Sequence, residues 1–399
     1  MSVPIRLFGR IPPFGWLAGA AFCWGLGFGL YITVFTNFVA DELHIRPDQL
    51  GLLESIREIP GLLTVVIAAL VMTVAEPTVG AVALLLLGIG YLNYFHLQSV
   101  EMLIVVSLVA SIGFHMWLPV SNALALRLSR PTQEGRRLGQ LRSVMAVSQL
   151  LGIGLVAALA GVIGMRVLFI GAGAAIIVGS FLVLGLRGLQ STESAPRILF
   201  RRRYGLYYAL TLLDGARRHI FMTFAVFLLV RNYATPVQTI AILGLVNGVI
   251  ATGSAYLFGR WIDRFGERPV LMIGFASIAL IFMGYAFIGV LGILFALYVL
   301  DNFFFSAEAA VTTYLHKILV DPADLRPSLV AGQTMNHVAA VIIPVTGGVL
   351  WEAYGHAVPF IGGSVLALLS LLLSSRIQVP ARITATLPMS ETTSRDGSP

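Results

Sequence analysis

The chain has 399 residues, of which 57% are hydrophobic and only 11% charged, with a mean hydropathy of +0.88. Ordinary soluble domains carry roughly 25% charged residues, so a soluble fold is excluded. The apolar residues fall in blocks of roughly 20 to 28, long enough to cross a hydrocarbon core of about 30 Å as helices, and they lack the alternation of a membrane barrel.

Taken in chain order, the blocks predict helices near 14–40, 48–74, 78–96, 100–127, 137–162, 166–187, 204–231, 236–262, 269–288, 291–318, 327–352 and 356–376. Turn residues mark the breaks, as at Arg46-Pro47-Asp48, Glu76-Pro77-Thr78, Arg130-Pro131-Thr132, Ala234-Thr235-Pro236 and Asp321-Pro322. The first block follows Arg6 and Arg10, but it is too long for a signal peptide's apolar region and reads as a retained helix. Cys23 is the single cysteine, so no internal disulfide can form.

Basic residues set the orientation, because cytoplasmic loops retain positive charge. Nineteen Lys and Arg fall on the side that holds both termini. Arg46, Arg166 and Arg231 alone fall on the other. The expected topology therefore puts both termini in the cytoplasm of a cell whose plasma (inner) membrane the chain crosses about twelve times. The pI of about 9.8 reflects these loops, with no continuous basic stripe for nucleic acid.

The most polar interior stretch lies at 188–203 and leaves six helices on either side. The expected plan is all-α: an N-terminal six-helix bundle over 1–187, a cytoplasmic linker over 188–203, a C-terminal six-helix bundle over 204–376 and a disordered cytoplasmic tail over 377–399. The halves echo each other. Gly139-Gln140 and Phe169-Ile170-Gly171 recur as Gly332-Gln333 and Phe360-Ile361-Gly362, and Phe35 and Phe38 align with Phe224 and Phe227. Repeated halves are a mark of secondary transporters, which work by rocking one half against the other.

The segment Gly259-Arg260-Trp261-Ile262-Asp263-Arg264-Phe265-Gly266-Glu267-Arg268 resembles the loop motif of the major facilitator superfamily, in its second-half position between helices 8 and 9. The resemblance, with the six-plus-six layout, runs from about Phe14 to Arg376. It implies that Gly259, Asp263, Arg264, Gly266 and Arg268 form a conformational latch, with Gly259 allowing close helix approach. The first-half loop reads Val74-Ala75-Glu76-Pro77-Thr78 and departs from the motif, so no latch is expected there. Gly152-Ile153-Gly154 lacks the proline of the signature common among the superfamily's drug antiporters.

Charges inside apolar helices are the candidate site, since each central one costs roughly 2.5–3.5 kcal/mol against lipid. Asp214, Arg217 and Arg218 lie at i, i+3 and i+4 of the seventh helix and can share a face. In superfamily members that helix lines the central cavity. Glu54, Arg57 and Glu58 repeat the pattern on the second helix, before a Pro60-Gly61 pair expected to loosen it. Asp301 and Glu308, seven residues apart and so expected on one face of the tenth helix, are candidate proton carriers, and Asn336 with His337 completes the set. Structural alternatives stand beside these roles: interhelical pairing for the seventh helix, gating for the second, and hydrogen-bonded packing for the tenth. His115, His219 and His337 read first as structural donors, Arg142 as a surface or gate residue, and Phe303, Phe304 and Phe305 as lipid contacts or core. Small residues at Gly152, Gly154, Ala157, Ala158 and Gly161 suit tight packing, and Pro344 with Gly347 and Gly348 reads as a bend point.

The favoured function is a secondary active transporter for a small polar solute, anionic or zwitterionic, with Arg217 and Arg218 as anion partners and possible proton coupling. Its partners are the solute, the bilayer and protons, and it is expected to be a monomer without a cofactor. An exporter of lipophilic drugs or cations is the alternative, and a non-transport sensor or scaffold the second. No catalytic triad, metal-ligand spacing or phosphate-binding glycine loop stands out, so an enzyme is not expected.

Overall fold

The structure, a computed structural model, describes residues 11–186, 188–189 and 200–378. The central part of the predicted linker, the tail from 379 onward, and Arg6, Arg10, Arg187, Arg197, Arg382 and Arg395 lie outside the described residues.

The described chain is helical with no strand, and it groups into twelve segments. These are α1 Pro13–Asn37, α2 Pro47–Leu62 with a short continuation Thr64–Leu70, α3 Glu76–Asn93, α4 Val100–Arg127, α5 Glu134–Ile163, α6 Met165–Val183, α7 Gly205–Tyr233, α8 Val237–Phe265, α9 Glu267–Phe287, α10 Leu291–Phe305 with its continuation Ala309–Ile318, α11 Leu325–Tyr354 and α12 Ala357–Ser374. Ten of the twelve are long and apolar enough to cross a membrane. The two that fall short are α2 and α7, the helices interrupted by Glu54, Arg57 and Glu58 and by Asp214, Arg217 and Arg218. Their charge is held among other helices rather than against lipid. Elsewhere large apolar side chains face outward, with Leu70, Leu280 and Val162 each more than 70% exposed, as a lipid-facing surface requires.

Within the first six helices α1 packs on α5 and α6, and α3 on α4 and α6. Within the last six α7 packs on α11 and α12, and α9 on α12. The sets meet chiefly through α2 with α11 and α5 with α8, an exchange of equivalent helices expected of two related halves. The backbone repeats the relation: His44 (φ 50°) and Ala234 (φ 48°) form one left-handed pair, Gly164 (φ 80°) and Gly355 (φ 92°) another, each about 190 residues apart. Phe169 and Phe360 are both fully buried. The acids that open α3 and α9 also pair alike: Glu76 with Arg127 at the end of α4, and Glu267 with Lys317 at the end of α10 (2.6 Å).

The α2–α11 contact begins where their outer ends meet. A Cβ on Gly348 would strike the Pro47 carbonyl, and one on Gly51 the Pro344 carbonyl. Next to Pro344, which has no amide hydrogen of its own, the Val345 amide donates to Ser55 Oγ of α2 (3.0 Å). At the same end Asn37 Nδ2 donates to the Thr235 carbonyl (2.9 Å) and Arg231 to that of Ile45 (2.6 Å). At the opposite end, among the described residues, the continuation Thr64–Leu70 packs on α2 and α4, and the continuation Ala309–Ile318 on α7, α8, α9 and α11, each within its own half. The two halves are therefore closed at the end of Arg46, Arg166 and Arg231 and parted at the other.

Two expectations about helices change in detail. The break in α2 falls at Leu63, two residues past Pro60-Gly61, where Thr64 Oγ1 donates to the Pro60 and Gly61 carbonyls (3.1 and 2.7 Å). The tenth helix is broken by a tight turn at Ser306–Glu308, so Asp301 and Glu308 do not share one continuous face. Of the small residues on α5, Gly152 packs on the α1 backbone and Gly161 meets Gln238 of α8, while Gly154 touches nothing.

Candidate functional site

Between the halves, inside the closed end, lies a cavity of about 180 Å³. Its wall from α1, α3 and α4 is aromatic. Tyr31 stacks on Tyr91 with ring centres 3.9 Å apart, and Phe28 on Trp24 and Phe114 at 5.1 and 5.4 Å. The Tyr94 hydroxyl bonds that of Ser107, which keeps a polar atom satisfied within the apolar wall.

On the α2 side Arg57 Nη1 donates to Glu54 Oε1 (2.6 Å), with both side chains about one-fifth exposed. The guanidinium lies over the rings of Phe35 and Tyr31, at 4.9 and 5.7 Å. Aromatic faces stabilise a cation whose hydration is partly stripped. One carboxylate satisfies only part of a group with five N–H donors, so Arg57 is a charged anchor that faces the cavity.

A turn along α2, Glu58 meets histidines from both halves. His337 Nδ1 of α11 lies 3.0 Å from Glu58 Oε2, and His115 Nε2 of α4 lies 3.7 Å from the same oxygen. The sequence offers His115 only as a structural donor, because nothing in the spacing of residues 58, 115 and 337 says that they converge. Ser111 Oγ of α4 donates to the Arg57 carbonyl, on the face of α2 that carries the cluster.

The charges of α7 part company. Arg217 is fully buried, 2.9 Å from Asp214 and 3.5 Å from Asp301. With two carboxylates and no exposed surface, it is not placed to meet a solute, contrary to the expectation that it is an anion partner. Arg218 pairs with Glu308 at 3.4 Å and lies over the Phe305 ring at 4.4 Å. Phe305, half-buried, thus carries a cation on one ring face. Neighbouring arginines on α7 accordingly take the two acids of α10, one pair in the core and one half-exposed. His219 is buried and lines the cavity beside Glu58 and His115. Asn336, next to His337 in the chain, packs on Gly215 instead, and Arg142 is exposed.

The motif at the α8–α9 junction contributes no residue to this cavity. Gly266 adopts φ 82°, which lets the chain turn directly from α8 into α9. Asp263, Arg264 and Arg268 are exposed, and no ion pair joins them among the described residues. Gly259 makes no close helix approach, as the parting of the halves at this end requires.

The family model of the Major Facilitator Superfamily matches residues 17–315 and 206–391 of the chain. No curated protein matches it. Among solved structures, the nucleoside transporter NupG superposes with a TM-score of 0.74 at 15% identity, covering 92% of this chain and 98% of that one. A bacterial homologue of the human lysosomal transporter Spinster, in an inward-facing and unoccupied conformation, gives 0.73 at 15%, covering 94% and 100%. Its inward-facing and occupied form gives 0.72 at 14%, covering 91% and 96%. At such identities the likeness is one of fold.

Proposed function

Because the chain belongs to the major facilitator superfamily and is a secondary transporter by fold, we propose that it carries a small anionic or zwitterionic solute by alternating access, with proton coupling. The supporting observation is the Arg57–Glu54 pair beneath the aromatic wall of the central cavity. A solute carboxylate or phosphate meets the free donors of Arg57 in a charge-assisted bond. A zwitterion's ammonium finds Glu54, and a flat or apolar body lies on Phe28, Tyr31 and Tyr91. This moves the anion-binding role from Arg217 to Arg57. The acids Asp301 and Glu308 are the proposed proton carriers, since each sits beside an arginine that offsets its charge when it is ionised. The protein is placed as a monomer in the plasma membrane with both termini cytoplasmic, so that the closed end is the outer one and the cavity opens inward. Residues 188–203 serve as the linker between its two bundles.

The test is a thermal-shift panel on purified protein at pH 5.5 and 7.5, with small anions, zwitterions, nucleosides as uncharged polar solutes, and lipophilic cations, repeated on Arg57→Ala. A stabilising shift with an anion or zwitterion that differs between the two pH values and vanishes in the variant is the expected result. Stabilisation by lipophilic cations that survives the substitution would replace this reading with the exporter, whose cation Glu54 and Glu58 would hold.

A further inference from the structure

We infer that Glu58, His115 and His337 form a binding site for a divalent transition-metal ion of the zinc class, which ties α2 and α4 of one half to α11 of the other. The donor atoms converge to within 4.8 Å of one another. Two separations from Glu58 Oε2, 3.0 and 3.7 Å, bracket the edge of about 3.3–3.5 Å that ligands at about 2.0–2.1 Å from a tetrahedral ion must have.

The hydrogen bonds behind the imidazoles favour the same conclusion. His115 Nδ1 lies 3.0 Å from the Ser111 carbonyl, which can only accept, and 3.1 Å from Ser111 Oγ, whose own proton goes to the Arg57 carbonyl, so a proton sits on Nδ1. In the neutral imidazole the lone pair of Nε2 is then turned toward the Glu58 carboxylate 3.7 Å away, and a cation between them joins the two. His337 Nε2 lies 3.1 Å from the side-chain nitrogen of Gln333, whose amide oxygen and nitrogen exchange places on a half-turn. Rotation of that amide places its oxygen there to accept from Nε2–H, which frees Nδ1 as a ligand. Ligating histidines are held in this way, with the second ring nitrogen donating to an acceptor.

The three side chains are between 11% and 23% exposed, open enough for an ion to enter from the cavity. His219 lines that cavity, and among the described residues its buried Nε2 has no hydrogen-bond partner. Gly61 keeps the space clear: a Cβ there would meet both imidazoles at 2.5–2.6 Å. Two nitrogens and one carboxylate suit Zn²⁺, Co²⁺ or Ni²⁺, whereas Mg²⁺ and Ca²⁺ take all-oxygen sets. An ion joining the halves here favours the state closed at this end.

The experiment uses purified full-length protein, free of tag and chelator, titrated with Zn²⁺ by calorimetry and with Co²⁺ by visible absorption. Wild type should bind one Zn²⁺ per chain, show the intense Co²⁺ bands of tetrahedral coordination, and gain melting temperature that EDTA reverses; Mg²⁺ should do none of this. His115→Gln/His337→Gln should weaken Zn²⁺ binding at least about 100-fold. Gln333→Leu, which leaves the ligands in place, should weaken it about 10–100-fold as loss of an outer-shell partner does. Binding is read without transport, so the outcome is independent of the solute. Equal Zn²⁺ stoichiometry in the double variant would assign the ion to another of the five remaining histidines and overturn the site, as would weak octahedral Co²⁺ spectra in wild type. Should the double variant fail to fold, Glu58→Gln with Gln333→Leu decides in the same way.

Discussion

Arg217 and Arg57 are both arginines inside apolar helices, yet their surroundings give them different work. Arg217 is 1% exposed and shared between Asp214 and Asp301, so its removal leaves two carboxylates facing each other in a water-poor core. Breaking such a network by deleting one partner costs about 3–5 kcal/mol. Arg217→Ala is therefore expected to lower the melting temperature sharply and to reduce the yield of monodisperse protein. Normal thermal stability with selective loss of solute binding would instead return Arg217 to the anion-binding role. Arg57 has one carboxylate partner and ring faces beneath it, so Arg57→Ala is expected to spare stability and abolish anion binding. Both residues are visible in the sequence as charges in apolar segments. Which of them is saturated is not, because the deciding partner of Arg217, Asp301, lies 84 positions away.

Between helices, the closure of α2 on α11 depends on glycines that admit backbone to backbone. Gly348 faces the Pro47 carbonyl with no room for a side chain. Gly348→Val should strain the closed end by about 1–3 kcal/mol, and the transporter relieves that strain by parting the two helices. Labelling of Thr36→Cys, which lines the cavity, in a Cys23→Ser background should then be about tenfold or more faster. An unchanged rate means that the closed end does not depend on this contact. Pro344 lies in the same seam, where the neighbouring Val345 amide reaches Ser55 of α2. Pro344→Ala should restore a ladder bond and slow turnover several-fold with little loss of stability, and equal turnover in proteoliposomes would remove the bend from the transport cycle. The helix boundaries are largely legible in the sequence, since proline, glycine and capping residues act locally. The interruption at Leu63 is announced by Pro60-Gly61 two residues earlier, whereas that at Ser306–Glu308 has no proline or glycine to mark it.

Across the full transporter, the motif after α8 has to be seen as part of a two-state machine. With the halves parted at that end, Asp263, Arg264 and Arg268 are solvent-exposed, and exposed charges contribute about 0–1 kcal/mol to stability. If they latch the opposite state, Asp263→Asn should leave the melting temperature within a few degrees and change the exchange rate of solute across proteoliposome membranes several-fold. A large loss of stability without a rate effect would make the motif a structural loop. The paired ions Glu76–Arg127 and Glu267–Lys317 fasten each half internally, which fits halves that move as units.

Composition and periodicity are enough to establish an all-helical membrane protein with about twelve crossings, and the motif at Gly259–Arg268 points to its family. Those features are local: hydropathy, turn residues and loop charge act over a few residues at a time, and each survives being read in isolation. Packing between helices settles the rest: Arg217 is consumed in the core while Arg57 faces the cavity, Glu58 gathers His115 and His337, and the halves close at one end. Each of these rests on atoms brought together from helices far apart in the chain, and the low dielectric between those helices makes the presence or absence of a partner decide what each charge can do.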